Sequence, residues 1–491
     1  MQRLAIGRSN LNETKCNGIR VLKSLQSLHL GPLVIVIIAA LSSVAIAVWP
    51  SEDREGLVFW TFAPHHARMY EPVIEDWNRR VAQTDAEPIQ LHVLSMGALN
   101  RRTQSGMWAK TPTSDLVEIE QPSVARFMAG PIEEVGFHDL TDRIKSEGIY
   151  DQLNKPSFSP WSSRGRIFGL PHDVHPVLLC YRADLVEAAG IDVSQIETWD
   201  DFERVMAPLV GDIDNDGSTD RYPLGLWYTS QRDVETLLLQ AGGGTFNEQG
   251  ESIIASDANA HVIARVVHWC DGPGRIAIDA PEFTPSGNEL KLNGRVVAAL
   301  MPDWLAGVWM NDMSDLGGKL KLMPLPAWEE GGRRTSVMGG TMIAIPKTTS
   351  DFESAWAFAK ELYLSPDLAQ KLFESNHIIS PRIDLWDEPY YAAQEPYFSD
   401  QRSGLLYIDQ APHVPYRTSS PFHQVAMQQI MDARAALKNY AEANDTYEVD
   451  ALIPQAKRLL EAAEDRIEQE MSRNVFIAGD SVDNASGGGD E

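Results

Sequence analysis

The chain has 491 residues, 43% of them hydrophobic, and a formal net charge of −27. That length allows two or more domains with large cores, and so acidic a chain repels phosphate backbones, which argues against nucleic acid as a partner. Its three cysteines, Cys16, Cys180 and Cys270, cannot form a disulfide framework or a compact zinc knuckle. At most one bridge, Cys180 to Cys270, is available.

The first element is the uncharged run LVIVIIAALSSVAIAVW, Leu33 to Trp49, between Pro32 and Pro50. It is near the lower length limit for a membrane-spanning helix. Arg3, Arg8, Lys15, Arg20 and Lys23 precede it against a single acid, Glu13. That asymmetry keeps a basic leader, 1–30, in the cytoplasm and sends the remainder across. A retained transmembrane anchor over 31–49 is expected. A cleaved signal peptide, with Ala45 to Ala47 as its small-residue site, is the alternative. No cysteine follows the run to carry a lipid, and Cys16 lies on the wrong side of it.

After the spacer SEDREG, LVFWTF reads as a buried strand, HARMYEPVIEDWNRRVAQ as a helix, IQLHVLSM and SDLVEIE as the next strands. Strand and helix alternate, which implies a parallel sheet. Two extended runs then flank the kink LPHDVHP. TWDDFERVMAPLV is a helix with Thr198 placed to cap it and Asp201 three residues on. YPLGLWYT is a strand, and RDVETLLLQ a helix closed by the glycine turn Gly242 to Gly244. RVVAALMPDWLAGVWM reads as strand, turn, helix. TSVMGGTMIAIPK is a strand with a glycine break. SDFESAWAFAKELYLS is a helix for which Ser350 and Glu353 form a capping box. VDALIPQAKRLLEAAEDRIEQEM is a long amphipathic helix, and the acidic, Gly-rich end 476–491 has the composition of a disordered tail.

No catalytic signature is present: HExxH and G-x-S-x-G are absent. His172 and His175 with Asp173 could ligate a metal, but i, i+3 spacing on an extended stretch is weak evidence. His65 and His66 are weaker still, since neighbours on a strand point opposite ways. The loop GDIDNDGSTDRYPLG matches a calcium pattern better. Asp212, Asp214 and Asp216 fill positions 1, 3 and 5, Gly217 allows the turn, Ser218 offers its carbonyl and Asp220 fills position 9. Pro223 stands where a bidentate Glu would close a sensor loop. Clustered carboxylates repel without a cation, so a structural Ca2+ is expected; a solvated Asx-rich turn is the alternative. The loop precedes its strand and so lies at the strand's amino end.

In this order, LVFWTF, SDLVEIEQPSVARFMAGPIEEVGFHDLT, GRIFGLPHDVHPVLLCYRADLVEAAGI, ETWDDF, LLLQAGGGTFNEQG, RVVAALMPDWLAGVW and VMGGTMIAIPKTTSDFESAWAFAKEL resemble the family 1 extracellular solute-binding proteins. These are the substrate-capturing components of ABC sugar importers, similar to the maltose-binding protein. The resemblance runs from about Leu57 to Met471. It implies an α/β, two-lobed periplasmic-binding-protein fold, type II-like, with three hinge crossings, here preceded by the transmembrane helix. Crossings are expected near LPHDVHP, near VMGGTM and around Trp386 to Glu395. Lobe I would comprise 57–173 plus 341–390, and lobe II 174–340 plus 395–475. Hinge closure would bury a sugar or oligosaccharide for a membrane permease to read.

Sugars stack their C–H faces on aromatic rings and have their hydroxyls held by carboxylates, amides, Arg and His. In parallel sheets the ligand sits beyond the carboxyl ends of strands. The candidates are therefore Phe62, His65 and His66 after the first strand, Glu120 and Gln121 after DLVEI, and Asp173 and His175 at the first crossing. Ser230, Gln231 and Arg232 follow LGLWYT; Gly339, Gly340 and Thr341 line the second crossing. Trp304 matches the family position where an aromatic commonly stacks on sugar. Tyr416, Arg417 and Phe422 lie near the C-terminal helices, where the family often adds another aromatic. The expected protein is a monomeric, non-enzymatic receptor on the extracytoplasmic face, anchored to the inner membrane or secreted if the helix is cleaved. A receptor feeding a sensor or chemotaxis partner, and a periplasmic enzyme acting on polysaccharide, are the competing readings; the last needs paired carboxylates across a cleft, and nothing in the sequence pairs them.

Overall fold

The computed structural model describes residues 30–48 and 55–474. The basic leader, Cys16 and the acidic tail lie outside the described residues. Residues 1–55 and 56–491 form separate units. In the first, the apolar run is helical over Leu30–Val48. The expected transmembrane helix is not part of the described fold: among the described residues no helix is long and apolar enough to cross a membrane.

Among its described residues the second unit contains twelve strands: β1 Leu57–Thr61, β2 Ile89–Val93, β3 Leu116–Glu120, β4 Ser162–Ser163, β5 Arg166–Ile167, β6 Leu170–Pro171, β7 Val177–Arg182, β8 Tyr222–Gly225, β9 Ala277–Ile278, β10 Val296–Pro302, β11 Leu320–Pro324 and β12 Thr341–Ala344. They build two five-stranded sheets, β2-β1-β3-β12-β6 and β11-β7-β10-β8-β9, and the small hairpin β4-β5. The chain thus leaves the first sheet after β6, builds the second, and returns through β12.

The expected parallel order holds for β1 with β2 and β3, and for β8 with β9 and β10. It fails at the returning strand: β12 runs antiparallel to β3 and β6. A strand arriving from the other sheet enters at the edge that faces that sheet, so it starts where β3 ends. Thr341 therefore pairs with Glu120. In the second sheet, β7 is antiparallel to β10, with Val177 opposite Pro302.

The central strands explain their own sequences. Every residue of β7 and β10 is buried, which is why VLLCYR and VVAALMP lack polar alternation. Each fully buried Leu or Val there contributes roughly 1.5–3 kcal/mol. Cys180 on β7 and Cys270 at the end of Asp257–Cys270 are both buried and free. The helix Trp199–Met206 has the expected capping box of Thr198 and Asp201. The helix Phe352–Tyr363 does not use Ser350: Asp351 is its N-cap, accepting from the Ser354 backbone N–H. The helix Pro366–Asn376 bridges two cores, placing Leu368 and Leu372 with Phe59 and Trp356, and Phe373 with Trp309 and Tyr391. The C-terminal helices His423–Asn444 and Val449–Arg473 pack onto the second sheet's core through Ile430, Leu437, Leu460 and Ile467.

Candidate functional site

Glu120, at the carboxyl end of β3, and Arg232, in the first turn of the helix Gln231–Gln240, meet across the two sheets: Arg232 Nη2 lies 3.8 Å from Glu120 Oε1. Burial raises the Glu120 pKa, with the Arg232 charge opposing it. The Arg232 guanidinium also lies over two rings, 5.5 Å from the centroid of Trp304 and 6.0 Å from that of Phe283. Those rings are nearly parallel, 6.1 Å apart at 10°. Trp304 is fixed by its indole N–H, which donates to the Met338 carbonyl at 2.8 Å. Its neighbour Gly339 has φ +98, and a Cβ there would come within 2.9 Å of Trp304 Nε1. Only glycine fits both that backbone and that approach.

Phe283 was invisible as a site residue in the sequence. It follows β9, a strand of two residues, too short to announce a carboxyl end. Its φ is +61 and its ring is 53% exposed. The signal in the sequence was an aromatic between two closely spaced prolines, Pro281 and Pro285, a loop composition.

The expected hinge residues form the floor. Asp173 and His175 are buried. His175 Nε2 is 2.9 Å from Asp173 Oδ2, and its Nδ1 is 2.6 Å from Asp303 Oδ1. Burial works against a charge on His175, but the two carboxylates outweigh it and push its pKa to about 10. Asp173 also accepts from the Thr341 N–H, and Asp303 from the Trp304 and Ile379 N–H groups. His175 is thereby clamped between segments 172–175, 339–341 and 378–380. Gln121, also buried, donates its backbone N–H to the Gly340 carbonyl.

Other candidates are engaged elsewhere. Arg417 is buried against Glu235, 3.2 Å away, and donates to the Gly339 carbonyl. Ser230 caps its helix by accepting from Arg232 N–H. Gln231 bonds to Gln428 on the helix His423–Asn444. Phe422 packs on the second sheet's core. Phe62 and exposed His65 border His66, with ring centroids 6.3 and 4.4 Å from it. His66 itself faces inward, its Nδ1 3.1 Å from Glu118 Oε1. Tyr416 is exposed and lines a different groove, of about 850 Å3, between 151–156, 331–334 and 410–416. None of Glu120, Arg232 or Trp304 lines that groove.

The aspartate loop lies at the other edge of the second sheet. Gly211 bridges Arg221, just before β8, and Arg295, just before β10, pairs with both Asp214 and Asp220 at 3.0 Å. Asp212, Asp214 and Asp216 can bring one oxygen each within 4.8 Å of one another. Asp212 accepts from the Asp216 and Gly217 N–H groups. The aromatic pair, by contrast, sits at the edge where β8, β9 and β10 end.

Comparison with known proteins agrees with this architecture. A family model described as bacterial extracellular solute-binding protein matches residues 69–367. The chain is similar to an arabinooligosaccharide-binding protein of Halalkalibacterium halodurans, 26% identical over 71% of this chain and 76% of the relative. A protein of the same description from Bacillus subtilis is 24% identical over 72% of this chain and 80% of its own length. Among solved structures, the sugar-binding protein MalE of Xanthomonas citri superposes with a TM-score of 0.64 at 14% identity, covering 85% of this chain and 99% of that one. An ABC transporter associated binding protein from B. animalis subsp. lactis, in complex with beta-1,6-galactobiose, gives 0.60 at 15% identity, covering 85% and 98%. At these identities the superpositions establish the two-lobed α/β fold.

Proposed function

The chain belongs to the bacterial extracellular solute-binding protein family, and we propose that it is the receptor of an ABC importer for a sugar or oligosaccharide. The observation that carries this reading is the pair Phe283–Trp304 with Arg232 over both rings and Glu120 opposite. Parallel aromatic faces suit the C–H face of a pyranose or furanose ring, and a carboxylate and a guanidinium suit its hydroxyls. Arabino-oligosaccharides are the first ligands to test, because the relatives from Halalkalibacterium halodurans and Bacillus subtilis are both described as binding them. The closing lobes would present the occupied shape to permease subunits, and the receptor would act as a monomer without covalent chemistry.

Calorimetric titration of the purified protein with arabino-oligosaccharides, and with galacto- and malto-oligosaccharides for contrast, tests the reading. Binding without turnover supports it, and hydrolysis of the bound sugar would replace it with the enzymatic reading.

Two further assignments belong to this proposal. The uncharged helix Leu30–Val48 directs export and either anchors the receptor or is removed; N-terminal sequencing of the mature protein decides between these. Asp212, Asp214, Asp216, the Ser218 carbonyl and Asp220 hold a structural Ca2+, supported by the spacing of the carboxylates. The salt bridges to Arg295 are the competing source of charge compensation.

A further inference from the structure

Beneath the cleft wall of the first sheet lies a buried polar cluster that ligand capture does not use. Glu118, on β3, is fully buried, and His66 and His172 flank it at 4% and 3% exposure. Each of the three can present one ligand atom within 4.8 Å of the other two. The His66 and His172 ring centroids are 4.7 Å apart. His172 Nδ1 lies 3.0 Å from the Asp173 carboxylate, so that nitrogen carries the proton and Nε2 keeps the lone pair. That Nε2 is a buried atom without a hydrogen-bond partner. Buried nitrogens are rarely left so, and each such case calls for a cause. A histidine held by a carboxylate on one nitrogen, with the other free, has the arrangement of a metal ligand and its outer-shell partner.

Charge points the same way. Among the described residues the ion-pair partner of Glu118 is His66, with no Lys or Arg beside it. Its neighbours are the hydroxyls of Tyr70, Tyr363 and Thr61, all donating to it. A fully buried carboxylate with imidazoles and hydroxyls around it and no permanent cation beside it is costly, and a bound cation relieves that cost.

We propose that His66 Nδ1, His172 Nε2 and a Glu118 oxygen form a binding site for a zinc-class divalent cation, with water in the fourth position; the proton that His66 Nδ1 shares with Glu118 leaves to solvent as the ion binds, so uptake weakens as pH falls. Two nitrogens and one carboxylate suit such an ion. Tetrahedral ligands about 2.0–2.1 Å from zinc stand about 3.3 Å apart, and His66 Nδ1 and Glu118 Oε1 stand 3.1 Å apart. The hydroxyls on Glu118 would remain to orient it, and exposed His65, ring to ring with His66, marks the solvent side from which the ion enters. Because His66 follows β1 and His172 opens the first crossing, the ion would tie that sheet to the hinge.

The test uses the untagged full-length protein, stripped with chelator and titrated with Co2+ and Zn2+. One equivalent of Co2+ with a tetrahedral d–d band, and a zinc-dependent rise in Tm of several degrees, are expected. Both should disappear in His172→Gln and persist in the Asp212→Asn, Asp214→Asn double variant. X-ray absorption of zinc-loaded wild type should count two imidazoles, which needs no variant to fold. Absence of binding, an imidazole count of zero, or binding that survives His172→Gln or vanishes with the aspartate loop each overturns the proposal.

Discussion

The aspartate loop and the His–carboxylate floor of the cleft are opposites. The loop packs its acids into nine residues, is conspicuous in sequence, and places Asp214 and Asp216 in solvent. The floor draws on His66, Glu118, His172, Asp173, His175 and Asp303, each unremarkable alone, and buries all of them. Solvent screens charge at the first, and burial removes most of that screening at the second. The same carboxylate is therefore worth little in the loop and much in the floor.

Cutting the floor should have the largest effect. Asp303→Ala leaves His175 with Asp173 as its carboxylate partner and the Trp304 and Ile379 N–H groups without their acceptor; a loss of about 3–5 kcal/mol is expected from one broken buried charge pair and two unsatisfied buried donors. Denaturant unfolding measures it, and a loss under about 1 kcal/mol would erase the contrast between the two regions. Next come the rings above the floor. Trp304→Ala and Phe283→Ala should each weaken sugar binding by about 1 kcal/mol or more; calorimetry showing unchanged affinity would remove that ring from the site.

Asp233, buried behind Arg232 and accepting from the Trp227 N–H, offers a test by pH. Burial, aided by Glu282, raises its pKa to about 7, against about 3.9 in an unfolded chain. The folded state holds the proton more tightly, so this group erodes stability as pH rises from about 4 to about 7 and has no further effect above. Asp233→Asn should flatten that slope, gaining stability relative to wild type at pH 8 but not at pH 4. Parallel melting curves for the two proteins would refute the assignment.

The smallest effects belong to the loop. Without calcium, Asp214→Asn should change stability by no more than about 0.5 kcal/mol, as exposed substitutions do. Calcium should raise the Tm of wild type more than that of the variant, while chelation leaves sugar affinity nearly unchanged. A large affinity loss on chelation would mean the loop and the cleft are coupled after all.

What the sequence determined by itself was the local grammar. Strand–helix alternation, the Thr198 cap, the loop's position before β8 and Trp304's position after β10 depend on residues a few places apart. The order of these elements also carried the family resemblance. The tertiary structure decided the direction of β12 and the pairing of Phe283 with Trp304. It alone joined His66 to Glu118, 52 residues on, and His175 to Asp303, 128 residues on. Periodicity and capping act within a few residues, so a single sequence displays them. Which distant side chains share a buried site depends on sheet order and on how the returning chain threads between sheets, and no short stretch of sequence contains that.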